Sequence, residues 1–446
     1  MSGVFLVSLG CPKNLVDTEL FAGTLVSCNR YITFDDRQAD IYIINTCAFI
    51  PSARNEAAEA IETAIKWKKR AKKMKRHIIV AGCLPQYDKD FSYRKLYPEV
   101  DVWMGVNNIP ELEKIINSLD AEDKKFLPII EKNPDYLYNH TAPRLQLTVP
   151  HMAYLKIADG CDNCCSYCAI PSIRGKLRSR KLESVVEEAK NLVANGVNEL
   201  VIIAQDITVF GHDRAEDNEN LAKLLIELEK IEGDFKMRLL YTHPAHYTDE
   251  LIQVIKNSKK ILPYLDMPLQ HINDRILRDM NRHIDKQGIL TLLDKLLAEI
   301  PNLVLRTTFI TGFPGETEVE FNELMDFIKK YKFQRCGVFG YSPEVNTPAA
   351  SMPNLIDTAI ANERAKILME IQEKIMLDYQ QSFIGKTIEV ICDEAENQMA
   401  IGRSFADAPE IDNRVIFAGK RLKAGKVYKV EIKEVNDFDL IGFAVQ

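Results

Sequence analysis

Short runs rich in Val and Ile alternate with helical periods from the first residues of the chain. Val4–Ser8, Ile41–Asn45 and His77–Ala81 read as strands, with Asp17–Val26 and Ala53–Lys66 as helices between them. Strands alternating with helices in this way predict a parallel sheet covered by helices. Periodicity then fades over residues 121–145, where Pro128, Pro134 and Pro143 interrupt the pattern, and the stretch reads as a linker. A longer series follows. Strands are predicted at Tyr154–Ala158, Glu199–Ala204, Lys236–Tyr241, Leu262–Met267, Leu303–Ile310 and Cys336–Tyr341. Helical patterns separate them at Leu182–Ala194, Asn220–Ile231, Asp249–Ile255, Ile289–Ile300 and Glu318–Tyr331. Six such units predict a partial (β/α)6 barrel, two units short of the full eight. After a helix at Ile360–Gln381, the short strands Lys386–Cys392, Val415–Phe417, Lys426–Val435 and Leu440–Val445 predict a small all-β module. The expected layout is therefore α/β: an N-terminal domain at 1–120, a linker at 121–145, a barrel core at 146–376 and a terminal module at 379–446.

Charge and composition narrow the functional classes. The 446 residues carry 57 Lys plus Arg against 64 Asp plus Glu, a net charge of −7, which argues against a chain built to grip nucleic-acid phosphates over a broad face. No run of about 18 apolar residues occurs, and the N-terminal stretch lacks the basic region of a signal peptide. A cytoplasmic protein with no membrane partner is expected. Ten cysteines are then many for a reducing compartment, so metal binding or catalysis leads over disulfides.

The cysteines fall into groups. Gly160-Cys161-Asp-Asn-Cys164-Cys165-Ser-Tyr-Cys168 parses as two C-x2-C pairs that could hold zinc. It also parses as C-x3-C-x2-C with Cys164 a bystander, in which Cys161, Cys165 and Cys168 hold three irons of a [4Fe–4S] cube and leave the fourth open. Adjacent Cys164 and Cys165 point apart, and the loop follows the first barrel strand at the face where such folds place active sites, so the second parsing is favoured. Cys11, Cys47 and Cys83 each follow one of the three N-terminal strands. Carboxyl ends of neighbouring parallel strands lie together, so these three are expected to converge on a second three-thiolate site, the alternative being small buried hydrophobes. Cys28, Cys336 and Cys392 sit inside helix or strand patterns and are assigned to packing.

With LGCPKNLVDTE near the start, GCDNCCSYCAIPSIRG at 160–175 and FITGFPGETEVEF at 309–321, the chain resembles the methylthiotransferases, a branch of the radical S-adenosylmethionine enzymes, over essentially its whole length. YLDMPLQH, MNRH, YSPEVNTPAA and RSFADAPEID resemble the RimO-type branch, which modifies an aspartate of small-subunit ribosomal protein S-twelve. The MiaB-type branch, which modifies adenosine in transfer RNA, usually has a Gln-Ser-Gly-Ser type segment where this chain has Gln270-His271-Ile272-Asn273. The resemblance implies a radical core followed by a TRAM module. It implies two [4Fe–4S] clusters, one held by Cys161, Cys165 and Cys168 and one by Cys11, Cys47 and Cys83, and S-adenosylmethionine cleaved to a radical that takes hydrogen from the aspartate β-carbon. It also implies protein S-twelve, free or in the ribosome, as partner and an electron donor such as flavodoxin or ferredoxin. Transfer RNA is not expected, since residues 380–446 carry 9 Lys plus Arg against 11 Asp plus Glu.

Further positions are candidates. Gln205 and Asp206 end a strand at the barrel mouth and either contact the cofactor or cap. Arg306 is expected to pair with the S-adenosylmethionine carboxylate, the substrate aspartate or a structural acid. Gly312 and Gly315 let backbone approach the cofactor or form an ordinary turn with Glu316 and Thr317 capping. His271 lines the mouth or is a core histidine; His243 and His246 have no evident ligand partner. The basic stretch Lys66–Arg76 is a solvated helix face or a contact with ribosomal RNA.

Overall fold

The computed structural model describes residues 3–71, 75–120 and 128–445. The N-terminal strands are β1 (Gly3–Ser8), β2 (Tyr31–Thr33), β3 (Ile41–Thr46), β4 (His77–Gly82) and β5 (Val102–Met104), in the order β2-β1-β3-β4-β5, all parallel. The edge strands β2 and β5 escaped the sequence pattern because three residues are too few to show a period. Helix α1 (Pro12–Ser27) packs one face of the sheet and α2 (Pro51–Lys69) the other.

The second sheet holds six parallel strands in consecutive order: β6 (Met152–Lys156), β7 (Glu199–Ile203), β8 (Lys236–Leu239), β9 (Ile261–Asp266), β10 (Val304–Thr311) and β11 (Arg335–Gly340). β6 and β11 do not pair, so the barrel is open, as the six-unit pattern predicted. The terminal strands β12 (Thr387–Glu396), β13 (Met399–Arg403), β14 (Val415–Ala418), β15 (Val427–Asn436) and β16 (Asp439–Val445) close into a five-stranded barrel. β13 was missed because its Met-Ala-Ile-Gly-Arg sequence does not alternate.

One hydrophobic core joins all three parts. Val16, Leu20 and Phe21 of α1 meet Tyr154, Val201, Ile203, Tyr264 and Val304 from the open barrel, and Ala406 and Ala408 close it from below. The expected linker is not a loose tether where it is described. Arg144 bonds Glu19 at 2.6 Å, Glu188 at 2.5 Å and the Tyr154 carbonyl at 2.7 Å, pinning 128–145 between the first two parts; 121–127 lie outside the described residues.

The terminal barrel seals the end of the open barrel where the strands begin. Glu199, at the start of β7, accepts from Arg238 Nε at 2.9 Å and Arg403 Nη1 at 2.5 Å. Burial alone would raise its pKa, but the two guanidiniums outweigh this and hold the carboxyl below its usual range. Arg335 bonds Asp407 at 2.6 Å, and the Tyr264 hydroxyl donates to Asp412 at 2.6 Å. The basic stretch is partly engaged locally. Lys68 pairs with Asp101, Lys69 with Glu99, and Arg76 lies over the Trp67 ring, while 72–74 fall outside the described residues. Removing one charge of a buried network leaves its partners uncompensated, so Glu199→Gln is expected to cost about 3–5 kcal/mol of stability in chemical denaturation. A loss below about 1 kcal/mol would show that the arginines find other partners.

Candidate active site

At the carboxyl ends of both sheets, one cavity of about 350 Å³ is lined by Cys11, Cys47 and Cys83 on one wall and Cys161, Cys165 and Cys168 on the other. The first three sit where strand geometry predicts, after β1, β3 and β4. Gly10 makes their approach possible: at φ +86° it lies so close to Cys47 that a Cβ would stand 2.5 Å from the Cys47 Cβ. Asn14 laces the three strand ends together, donating to the Leu9 carbonyl at 3.1 Å and the Thr46 carbonyl at 2.9 Å while its Oδ1 lies 3.5 Å from Cys83 Sγ.

The second set rides the loop after β6. Cys164 takes φ 51° and turns outward, exposed and away from the cavity, whereas Cys161, Cys165 and Cys168 face in. Cys164 is thus set apart from the other three, which share one wall of the cavity. Each wall also has a buried arginine touching a thiol sulfur. Arg174 Nη2 lies 3.3 Å from Cys83 Sγ, and Arg282 Nη1 lies 3.4 Å from Cys165 Sγ.

Arg174 belongs to a buried network that spans the two walls. Asp17 of α1 binds Lys156 at 2.5 Å and Arg174 at 2.7 Å; Asp159 binds the same two cations at 3.2 and 3.1 Å. Arg174 also donates to Asn14 Oδ1 at 2.5 Å, and Gln205 donates to Asp159 at 2.8 Å. Burial would raise the Asp159 carboxyl, but Lys156 and Arg174 outweigh it and hold it ionised.

The polar lining fits a guest. Gln205 Oε1, His243 Nε2, Gln270 Oε1 and Arg282 Nε are buried without a hydrogen-bond partner, and all four residues line the cavity. His243 Nδ1 accepts from the Ala245 N–H at 3.2 Å, which leaves the proton on Nε2. Although Asp206, His243 and His246 cluster closely, His243 therefore offers a donor and not a metal ligand. Burial, then Arg282, pushes its pKa far down and keeps the ring neutral. Sequence reasoning passed over His243; its place directly after β8, at the barrel mouth, was the available signal.

Of the positions expected to meet the cofactor, Gln205 and Asp206 line the cavity and the others do not. Arg306 is the third residue of β10 and lies outside the cavity lining, paired with Asp266 at 3.0 Å and with Asp412 of the terminal module at 3.7 Å. A Cβ on Gly312 would stand 2.3 Å from the Ala361 Cβ, so this glycine admits the helix Thr358–Gln381 and not a ligand. Gly315 donates its N–H to the Asn354 carbonyl in an ordinary turn. Thr317 caps the next helix in a capping box with Glu320, while Glu316 accepts from the Gly312 N–H. His271 is fully buried beside Glu316, a core histidine.

Comparison with known proteins places this arrangement. The profile of the radical SAM superfamily matches residues 155–328, that of the TRAM domain 384–445, and that described as "Uncharacterized protein family UPF0004" 3–105. The ribosomal protein uS12 methylthiotransferase RimO of Desulforamulus reducens is 44% identical, with all of both chains covered. Its namesake from Geobacter sulfurreducens is 42% identical over 98% of each chain. The chain belongs to the RimO family of methylthiotransferases. As a RimO-type protein it is a sulfur-transferring radical S-adenosylmethionine enzyme that uses an iron–sulfur cluster and S-adenosylmethionine. The fold also resembles the radical methyltransferase TsrM of Kitasatospora setae, with a TM-score of 0.57 at 14% identity over 78% of this chain and 74% of that one. Among the described residues, no helix is long and apolar enough to cross a membrane.

Burial pushes the Cys83, Cys161 and Cys168 thiols up to about 12. Only thiolates are nucleophilic, so in metal-free protein at pH 8 these three are protonated and unreactive. Iodoacetamide should modify exposed Cys164 first and spare all three while the chain stays folded, as read by peptide mass mapping. Early labelling of Cys83 would contradict the burial argument.

Proposed function

We propose that this enzyme methylthiolates the β-carbon of an aspartate in ribosomal protein uS12, using two [4Fe–4S] clusters. The observation that carries the reading is the meeting of two three-cysteine sets in one cavity. Cys161, Cys165 and Cys168 would hold the cluster that binds S-adenosylmethionine, and Cys11, Cys47 and Cys83 the other. When bound, these groups supply a carbon-centred radical on one side and a site for exogenous sulfur on the other. Thiols with pKa values raised this far by burial need a strongly positive guest to become thiolates, which iron clusters provide.

The chain's own residues then have distinct tasks. Gln205, His243 and Gln270 present unsatisfied polar atoms on the radical wall, where S-adenosylmethionine needs partners. Phe49, Ile170 and Ile173 add apolar surface to the cavity lining and limit the water it holds. Arg174 and Arg282 hydrogen-bond one sulfur of each set, and such bonds set the electron affinity of a cluster. An aspartate β-C–H beside an ionised carboxylate is scarcely acidic, so hydrogen-atom abstraction succeeds where a base would fail. A one-electron donor of the flavodoxin or ferredoxin class would feed the radical wall. The acidic terminal module suits a basic protein partner better than transfer RNA, and the setting is the cytoplasm.

Anaerobically reconstituted enzyme given S-adenosylmethionine, reductant and sulfide should add one methylthio group to an aspartate of uS12 and leave bulk transfer RNA unmodified by mass spectrometry. A methylthiolated adenosine would overturn the choice of substrate. Among variants, Cys164→Ser should keep wild-type iron content and product. Cys165→Ala should lose the radical-wall iron, deoxyadenosine formation and product together.

A further inference from the structure

Of the four charged side chains that line the cavity, Arg174, Arg282 and Asp206 each have polar partners. Arg174 lies in the buried network. Arg282 reaches Cys165 Sγ and the Tyr167 hydroxyl, both at 3.4 Å, and the Pro268 carbonyl at 2.5 Å. Asp206 accepts from Asn163 Nδ2 at 2.7 Å and the Thr208 N–H at 2.9 Å. Lys13 differs. It is only 8% exposed, and no carboxylate among the described residues lies within salt-bridge distance of it. Among the described residues its partner is Tyr241, whose ring centroid is 3.2 Å from Nζ.

An ammonium out of water without an anion is unfavourable, and a cation–π contact offsets only part of that. Two further observations make the placement purposeful. Tyr241 takes φ 65°, a left-handed conformation that is costly for an aromatic residue and typical of ligand sites. Lys13 also lies in the first turn of the 16-residue helix α1, which has no acidic residue there, so the helix end adds positive potential to the ammonium. The spot can therefore take an anion.

Its location says which one. Lys13 is two residues past Cys11 on the sulfur wall, and Tyr241 follows β8 on the radical wall, so the ammonium stands at the seam between them. A carbon that loses hydrogen to one wall and gains sulfur from the other must sit at that seam. The unsatisfied atoms of Gln205, His243, Gln270 and Arg282 already provide for S-adenosylmethionine on the radical wall. We propose that Lys13 binds the side-chain carboxylate of the substrate aspartate and so presents its β-carbon between the two cysteine sets. This inference rests on the proposed aspartate methylthiolation.

Binding of labelled uS12 and of its variant with asparagine at the target aspartate would be measured on reconstituted wild-type and Lys13→Gln holoenzymes. A charge-assisted hydrogen bond predicts that wild type prefers the aspartate form by about 10- to 100-fold. Lys13→Gln should bind both forms alike, and Lys13→Arg should restore part of the preference. Iron content should match wild type in Lys13→Gln. A preference that survives in Lys13→Gln overturns the proposal; if S-adenosylmethionine affinity falls at the same time, Lys13 holds that cofactor's carboxylate instead. Loss of iron from Lys13→Gln overturns it too, by making the lysine a support of the sulfur wall. If wild-type enzyme fails to bind uS12 at all, the substrate reading fails first and takes the inference with it.

Discussion

Everything at the active site depends on four charges buried where the N-terminal sheet meets the open barrel. Asp17 comes from helix α1, Lys156 from strand β6, and Asp159 and Arg174 flank the cysteine loop on either side. None of the four can leave without stranding a charge in a dry interior, which makes the contact rigid. Asn14 and Cys83 hang from Arg174 on one side and Gln205 from Asp159 on the other, so the network fixes the distance between two sets of thiols that belong to different sheets.

That constraint explains the division of labour along the chain. A parallel sheet gathers side chains at the carboxyl ends of its strands, and here two such sheets face each other across one cavity. In the proposed function one wall would generate the radical and the other deliver sulfur, with the substrate carbon between them. The terminal barrel takes no part in lining the cavity. It closes the far end of the open barrel through Arg403, Asp407 and Asp412.

Much of this was legible in the sequence because it is local or follows from strand ends. The six β/α units appear as alternating periods, and Cys11, Cys47 and Cys83 declare themselves by each following a Val- or Ile-rich strand. The same rule, applied to position within a strand, would have separated Gln205 from Arg306: the former follows its strand at the mouth, whereas the latter is the third residue of its own and pairs with Asp266 and Asp412. The network of Asp17, Lys156, Asp159 and Arg174 was not legible, since its members are up to 157 residues apart and look like surface charges one at a time. Nor was the role of Gly312, which depends on a helix some 46 residues later, or the setting of Lys13, which has no carboxylate within salt-bridge distance among the described residues.

The most direct test of the account is whether two clusters occupy one cavity. Electron paramagnetic resonance of the fully reduced holoenzyme reads this through magnetic coupling. The spectrum should show interaction between two reduced clusters that disappears when either Cys11, Cys47 and Cys83 or Cys161, Cys165 and Cys168 are replaced by alanine. A spectrum equal to the simple sum of those two variants would place the clusters too far apart to share a substrate carbon and would contradict the central claim.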